Sequence, residues 1–293
     1  MTTSTPPPTR IGPAIFGWGD RTFVMGILNV TPDSFSGDGL LATGDPVASA
    51  VAQAVRMVKE GADLLDIGGE STRPGHVAIT AAEERERVVP VIAAVRAALP
   101  TAPISIDTTK PEVAEAALSA GASLVNDVWA TGPDAGALAR VAADRGVPLI
   151  VMHNRSEARY EDVVREVIDD LRAAIARAVG LGVAEEDLIV DPGIGFGKTA
   201  VHNIAVLHDL GALRTLGRPV LLGTSRKSTL GKILDLPVEE RLEATLATTA
   251  LGVAAGVDIV RVHDVRPNVR AARTADAIVR GTWAPTRIEG GLP

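Results

Sequence analysis

The sequence predicts an α/β protein, a closed (β/α)8 barrel of the TIM type, and three observations carry that prediction. Short apolar, β-rich runs alternate with Ala-rich amphipathic segments along nearly all of the 293 residues. The runs are apolar on both faces, as parallel strands covered by helices must be. Eight such units follow one another without a linker, which suits a closed sheet better than the runner-up, a Rossmann-like open sheet.

In chain order the runs fall at residues 23–28, 64–67, 104–106, 124–125, 148–152, 188–190, 220–222 and 259–262. The segments between them predict helices over 46–60, 81–99, 111–120, 136–145, 162–181, 201–213, 239–255 and 267–280. Each is long enough to serve as a crossover between parallel strands. Asp45-Pro46 and Lys110-Pro111 put proline in a first helical turn, and Gly61, Gly121, Gly146 and Gly256 stand just past helix ends. Residues 1–20, with Pro6-Pro7-Pro8, form an N-terminal extension, residues 21–283 one barrel domain and residues 284–293 a tail.

Hydrophobic residues make up 46% of the chain, enough to bury one large core. A formal net charge of -7 argues against a nucleic-acid or anionic-membrane partner, both of which need a broad excess of Lys and Arg. The absence of cysteine excludes disulfides, a thiolate nucleophile and a zinc–thiolate site. No stretch approaches the roughly 20 apolar residues of a membrane span. The sequence therefore predicts a soluble, cytoplasmic protein whose partners are small molecules.

In a barrel of this kind chemistry gathers where strands end, so the polar residues after each run matter most. Asn29 follows the first run; Asp66, Glu70, Thr72 and Arg73 the second; Asp107 the third; Asn126 and Asp127 the fourth. His153 follows the fifth, Asp191 the sixth, Ser225, Arg226 and Lys227 the seventh, and Arg261 and His263 end the eighth. The opposite ends carry no comparable set. Arg73, Arg226, Lys227, Arg261 and His263 are cationic donors suited to a diphosphate. Asp107, Asn126 and Asp191 suit the hydrogen-bonding edge of an amino-oxo heterocycle. An anion joined to a flat ring is the implied substrate. Any one such residue reads equally well as a helix cap or a buried hydrogen-bonding group, and only their joint placement on one rim favours a site. A lone His153 reads as structural, and Asp66 and Glu70 read either as ligands or, beside Gly68-Gly69, as groups that hold the second loop through backbone hydrogen bonds. Gly193-Ile194-Gly195-Phe196-Gly197-Lys198-Thr199 looks like a phosphate-binding loop but has Pro192 where the first glycine belongs, so ATP binding is not expected.

Longer motifs then match a known family. Met25-Gly26-Ile27-Leu28-Asn29-Val30-Thr31-Pro32-Asp33-Ser34-Phe35-Ser36 and Asp66-Ile67-Gly68-Gly69-Glu70-Ser71-Thr72-Arg73-Pro74-Gly75 resemble the two signatures of dihydropteroate synthases. Ser105-Ile106-Asp107-Thr108, Val125-Asn126-Asp127, the segment from Asp191 to Lys198, Ser225-Arg226-Lys227-Ser228 and Arg261-Val262-His263-Asp264 follow in the family's order. The resemblance implies a transferase of folate biosynthesis that joins a dihydropterin methyl diphosphate to 4-aminobenzoate. It implies that Asp107, Asn126, Asp191 and Lys227 hold the pterin, with Asp107, Asp191 and Lys227 catalytic. It implies that Asn29, Arg73, Arg261 and His263 hold the diphosphate, with Mg2+ bound near Asn29. Phe35, Thr72, Pro74, Lys227 and Ser228 would form the 4-aminobenzoate pocket, a target for sulfonamides, with Ser228 opening a helix. The family commonly forms homodimers through outer helices. Ser36-Gly37-Asp38-Gly39 shifts an acid by one position from the family's common order. A pterin-dependent methyltransferase and a non-catalytic pterin-binding paralogue are the alternatives.

Overall fold

The computed structural model describes residues 5–31, 45–70, 78–132, 135–281 and 283. A short antiparallel hairpin comes first, β1 (Thr9–Ile11) and β2 (Ala14–Phe16). Eight parallel strands follow: β3 (Phe23–Asn29), β4 (Leu64–Gly68), β5 (Ile104–Asp107), β6 (Leu124–Asp127), β7 (Leu149–Met152), β8 (Leu188–Asp191), β9 (Leu221–Leu222) and β10 (Ile259–Val262). They pair in the order β8-β7-β6-β5-β4-β3-β10-β9. A parallel bridge between Val190 and Val220, with Val190 N–H donating to Pro219 O at 2.9 Å, brings the two outer strands together and closes the barrel.

The helices are α1 (Pro46–Glu60), α2 (Ala81–Ala98), α3 (Pro111–Ala120), α4 (Ala137–Arg145), α5 (Val163–Gly180), α6 (Ala200–His208), α7 (Ser228–Leu234), α8 (Leu242–Ala254) and α9 (Val265–Arg280). Their starts follow local chemistry. The Asp45 side chain accepts from Val47 N and Ala48 N ahead of α1, and Thr80 and Glu83 form a reciprocal capping box on α2. Gly61, Gly121 and Gly146 end α1, α3 and α4 in the left-handed conformation, as expected.

Two expected helices differ from their predicted form. The sixth, expected over 201–213, stops at His208 and continues as a 3-10 turn, Leu210–Leu216. The seventh, expected over 239–255, is α8, and the short α7 precedes it with a glycine in its interior. Tertiary contact replaces propensity there. The guanidinium of Arg241 occupies the space a side chain at 231 would need, and it donates to Leu236 O and Arg226 O at 3.1 Å.

Strand parity sorts the apolar residues into two cores. Leu65, Ile67, Ile104, Ile106, Val125 and Val151 face outward onto helix residues such as Ala54, Ile92, Val113 and Leu171. Met25, Leu64, Leu124, Ile150, Ile189, Leu221 and Ile259 face inward and meet Ile11, Phe16, Trp18 and Phe23. Residues 9–18, set apart as an extension in the sequence, thus floor the barrel at its amino end. Phe16 and Trp18 stack with centroids 5.7 Å apart, and Trp18 Nε1–H donates to Thr9 Oγ1 at 3.0 Å. One step further along the same inward parity stand Asp66, Ser105, Asn126, Met152, Asp191 and Arg261. The interior therefore turns from apolar to polar between its floor and its carboxyl rim. Among the described residues no helix is long and apolar enough to cross a membrane.

Because Trp18 is nearly inaccessible in this floor, Trp18→Ala should lower unfolding free energy by about 3–5 kcal/mol, the usual range for emptying a buried aromatic site. Urea unfolding checks it. A loss below about 1 kcal/mol would mean that the hairpin does not support the barrel.

Candidate active site

The strand register builds the site's first row. Asn29 pairs with Gly68, Gly68 with Asp107 and Asp107 with Asn126, so four neighbouring strands present these residues side by side at the carboxyl rim. Across the barrel Asp191 ends β8 beside Met152. A cleft of about 310 Å3 opens between them, and Asp107, Asn126, Asp191, Lys227 and Arg261 all line it together with Met152, Ile194 and Phe196. Five of the predicted site residues therefore converge on one concave surface.

A shared guanidinium anchors the cleft. Arg261 donates through Nε to Asp66 Oδ2 and through Nη2 to Asp107 Oδ2, both at 2.6 Å, while Asn126 Nδ2 reaches Asp66 Oδ2 at 3.3 Å. Asp66 Oδ1 and Asp107 Oδ1 are buried without a hydrogen-bond partner among the described residues. Burial pushes the Asp107 carboxyl up to about 7, against the pull of Arg261 and with the help of the Asp66 and Glu84 charges. Burial weakens the charged form of Arg261, but the contacts to Asp66 and Asp107 outweigh it and keep the guanidinium ionised. Asp191 is likewise pushed up by burial, although its Oδ1 accepts from Gly193 N–H at 2.7 Å.

Opposite these acids, the Lys227 ammonium lies 3.9 Å from the centroid of the Phe196 ring. Phe196 belongs to the glycine-rich segment that follows β8. Gly193 has φ +66 and a Cβ there would overlap His153 O, so only glycine lets the two backbones touch. Lys198 turns inward beneath this loop: Nζ meets His153 Nδ1 at 2.7 Å and donates to Gly193 O and Phe196 O at 3.2 Å each. Because Nδ1 accepts from the ammonium, the imidazole proton sits on Nε2 and is donated to Asp170 Oδ2 at 3.0 Å. Burial holds His153 down to about 3, with the Lys198 and Arg155 charges acting in the same direction, and burial lowers Lys198 to about 7.

The remaining rim cations are held by neighbours. Arg226, at the unusual φ of 57, is forked onto Asp264 at 3.0 and 2.6 Å and fixes the turn before α7, whose first residue is Ser228. His263 meets Ser225 Oγ through its backbone N at 3.1 Å and through Nδ1 at 3.0 Å. Glu70 accepts from Lys110 at 2.5 Å and from Ile79 N–H at 3.0 Å, as a loop-holding residue should. Phe35, Thr72, Arg73 and Pro74 lie outside the described residues. Among the described residues no group of three or more His, Cys, Asp or Glu could hold a metal ion.

Sequence reasoning underrated two residues. Asp66 reads as a loop support, yet it is the fully buried partner of Arg261. Its inward parity on an otherwise apolar strand was the available signal. Phe196, hidden in a glycine-rich string, carries none, because its role depends on Lys227 from a distant segment.

A family model described as "Pterin binding enzyme" matches residues 25–263. The dihydropteroate synthase of Clostridium beijerinckii is 47% identical over 92% of this chain and 99% of its own length. A solved Xanthomonas albilineans dihydropteroate synthase with 4-aminobenzoic acid is 42% identical, covers 96% of this chain and all (100%) of its own, and superposes with a TM-score of 0.88. Another structure of that synthase, in complex with 7,8-dihydropteroate, has a TM-score of 0.85 at 40% identity, over 95% of this chain and 100% of its own.

His153 makes the fold sensitive to acid. The unfolded chain takes a proton on this residue below the ordinary 6.5, whereas the folded chain resists until about 3. Stability from this residue is thus complete above pH 6.5 and is lost as pH falls through that window, by up to about 1.4 kcal/mol per pH unit. Urea midpoints between pH 6.5 and 4.5 should fall in the wild type and fall less steeply in His153→Gln. Parallel slopes in the two proteins would refute the assignment of this acid sensitivity to His153.

Proposed function

This chain belongs to the pterin-binding enzyme family, and on that premise we propose that it works as a dihydropteroate synthase. It joins (7,8-dihydropterin-6-yl)methyl diphosphate to 4-aminobenzoate and releases pyrophosphate. The observation that carries this reading is the convergence of Asp107, Asn126, Asp191, Lys227 and Arg261 on one cleft. Asp107 Oδ1, buried and lacking a donor among the described residues, is suited to accept N–H groups from the aminopyrimidine edge of the pterin. Asn126 can offer both a donor and an acceptor beside it, and Asp191 lies on the opposite wall.

The chemistry needs no protein nucleophile. The C–O bond to the diphosphate breaks, its electron pair leaves with pyrophosphate, and the methylene carbon becomes a cation conjugated with the ring. Asp107 and Asp191, buried and near the ring, stabilise that positive charge far better than solvent-exposed carboxylates could. The amine of 4-aminobenzoate then supplies the electron pair of the new C–N bond and gives up a proton to solvent. Phe35, Thr72, Pro74, Lys227 and Ser228 form the proposed pocket for 4-aminobenzoate, and Arg73, Arg261 and His263 the proposed diphosphate contacts.

Asn29 ends β3 with a neutral carboxamide oxygen at the rim, in a surrounding without a carboxylate cage among the described residues. That donor set fits Mg2+, which keeps much of its water and takes other oxygens from phosphates. Asn29 and the diphosphate would hold the ion, and when bound it would neutralise the charge that grows on the leaving group. Exposed Leu251 on α8 and Ile278 on α9 support the proposed homodimer through outer helices, and sedimentation giving only the monomer mass at micromolar concentration would exclude it.

Purified protein given Mg2+, the pterin diphosphate and 4-aminobenzoate should release pyrophosphate only when all three are present. Lys227→Ala and Asp191→Asn should each reduce turnover by about a hundredfold or more while circular dichroism stays native, since each removes a charged contact at the reacting centre. Turnover within about threefold of wild type in either variant would contradict the catalytic roles of Lys227 and Asp191.

A further inference from the structure

Lys198 is the residue whose surroundings the reaction does not explain. Its ammonium has three N–H groups and three acceptors, Gly193 O, Phe196 O and His153 Nδ1, so no donor is left for a phosphate. None of these acceptors is a carboxylate. Lys198 also precedes Thr199, the N-cap of α6, where the helix already concentrates positive partial charge. A largely buried cation at that position, touching no anion among the described residues, is unfavourable in itself. What it secures is the course of the loop.

The remaining contacts converge on the same loop. Tyr160 donates to Gly197 O at 2.7 Å, Gly195 N–H donates to Asn203 Oδ1 at 2.9 Å, and Gly193 N–H donates to Asp191 Oδ1 at 2.7 Å. Behind His153, the Asp170 carboxylate is itself held by Arg155 at 2.8 Å through Nε. A string thus runs from Arg155 through Asp170, His153 and Lys198 to the carbonyls of Gly193 and Phe196. At its end the Phe196 ring meets the Lys227 ammonium inside the cleft.

We infer that Lys198 is a positioning residue: backed by His153 and Asp170, it fixes residues 193–197 so that Phe196 stands against Lys227, and thereby sets the affinity for the aromatic amine substrate. The identity of that substrate rests on the dihydropteroate synthase reading, but the control of the loop does not. Lys198 itself touches neither substrate, so its loss weakens binding more than it slows the chemical step.

Three variants test this: Lys198→Met, His153→Gln and His153→Asn. An Asn carboxamide oxygen can stand where Nδ1 stood and still accept from Lys198, whereas Gln reaches toward the Nε2 position and gives up that acceptor. Lys198→Met and His153→Gln should each raise KM for 4-aminobenzoate about tenfold, as loss of a charge-assisted hydrogen bond does, while kcat changes by less than about threefold. Both should also speed amide hydrogen exchange across residues 193–197, read by mass spectrometry without substrate. His153→Asn, which keeps the acceptor for Lys198 but loses the bond to Asp170, should lie closer to wild type than His153→Gln in both measurements. Equal effects of the two histidine variants would reduce His153 to a space filler and overturn the inference. So would wild-type KM together with wild-type exchange in Lys198→Met, and so would faster exchange at an unchanged KM. A wild-type protein that releases no pyrophosphate would defeat the synthase reading alone, and the exchange data would then decide the loop's control by themselves.

Discussion

Two carboxylates on neighbouring strands, Asp66 and Asp107, share the guanidinium of Arg261 at 2.6 Å each, and the rest of the cleft is organised about that bridge. One positive charge faces two negative ones in a place with little water. Each acid keeps one buried oxygen without a partner among the described residues, and an unmet buried acceptor costs about 1–3 kcal/mol. A protein selected for stability alone would have filled this layer with aliphatic side chains, which is what the floor beneath it contains. In the proposed synthase reading, a pterin that brings N–H donors to Asp107 Oδ1 would relieve one of these unmet acceptors on binding. Burial also raises the Asp107 carboxyl to about 7, so a positive charge placed beside it, as the proposed reaction requires, would favour the ionised form.

The barrel keeps this unfavourable layer from undermining the fold by separating the two tasks along one axis. Ile11, Phe16 and Trp18 close the amino end with apolar contacts, and Met25, Leu64, Leu124, Ile150 and Ile189 continue them upward. The same inward parity reaches Asp66, Asn126 and Asp191 two residues later. Since successive inward positions are two residues apart, a four-residue strand has only two of them, and in β6, β8 and β10 one is apolar and the other polar. The shortness of these strands is therefore part of how the site is made.

Most of the fold was legible because parallel buried strands leave a strong imprint: continuous apolar runs, crossover helices, and glycine at helix ends such as Gly61 and Gly121. The row of Asn29, Asp107 and Asn126 could be seen for a related reason, as each is the first polar residue after its run. What escaped reading depends on contacts between distant segments. The hairpin at residues 9–16 has three-residue strands whose main support is the barrel floor. The helix α7 contains Gly231, and its local propensity is poor until Arg241 packs over it. Asp66 looked like a loop support because its partner, Arg261, lies 195 residues away.

The glycine-rich loop shows why a spacing argument can exclude a function without finding the real one. Pro192 sets the segment apart from the phosphate-binding loops by spacing, but a lysine beside a helix start still suggests an anion. In the folded chain the ammonium faces the other way, into Gly193 O, Phe196 O and His153 Nδ1. The deciding constraint is a close approach of two backbones. Gly193 lies so near His153 O that a methyl group would not fit, which brings the imidazole within reach of the lysine and leaves the loop carbonyls facing inward. Gly193 O already accepts from Phe196 N–H at 3.1 Å, so the Lys198 ammonium adds a second donor there while it also supplies Phe196 O and His153 Nδ1. A neutral donor could supply one or two of these contacts. The compact ammonium makes all three from one point, and burial lowers its proton affinity to about 7 rather than moving it out to solvent. That a chain would keep a cation under such strain, next to a ring that touches Lys227, argues that the position of Phe196 matters more than local stability does.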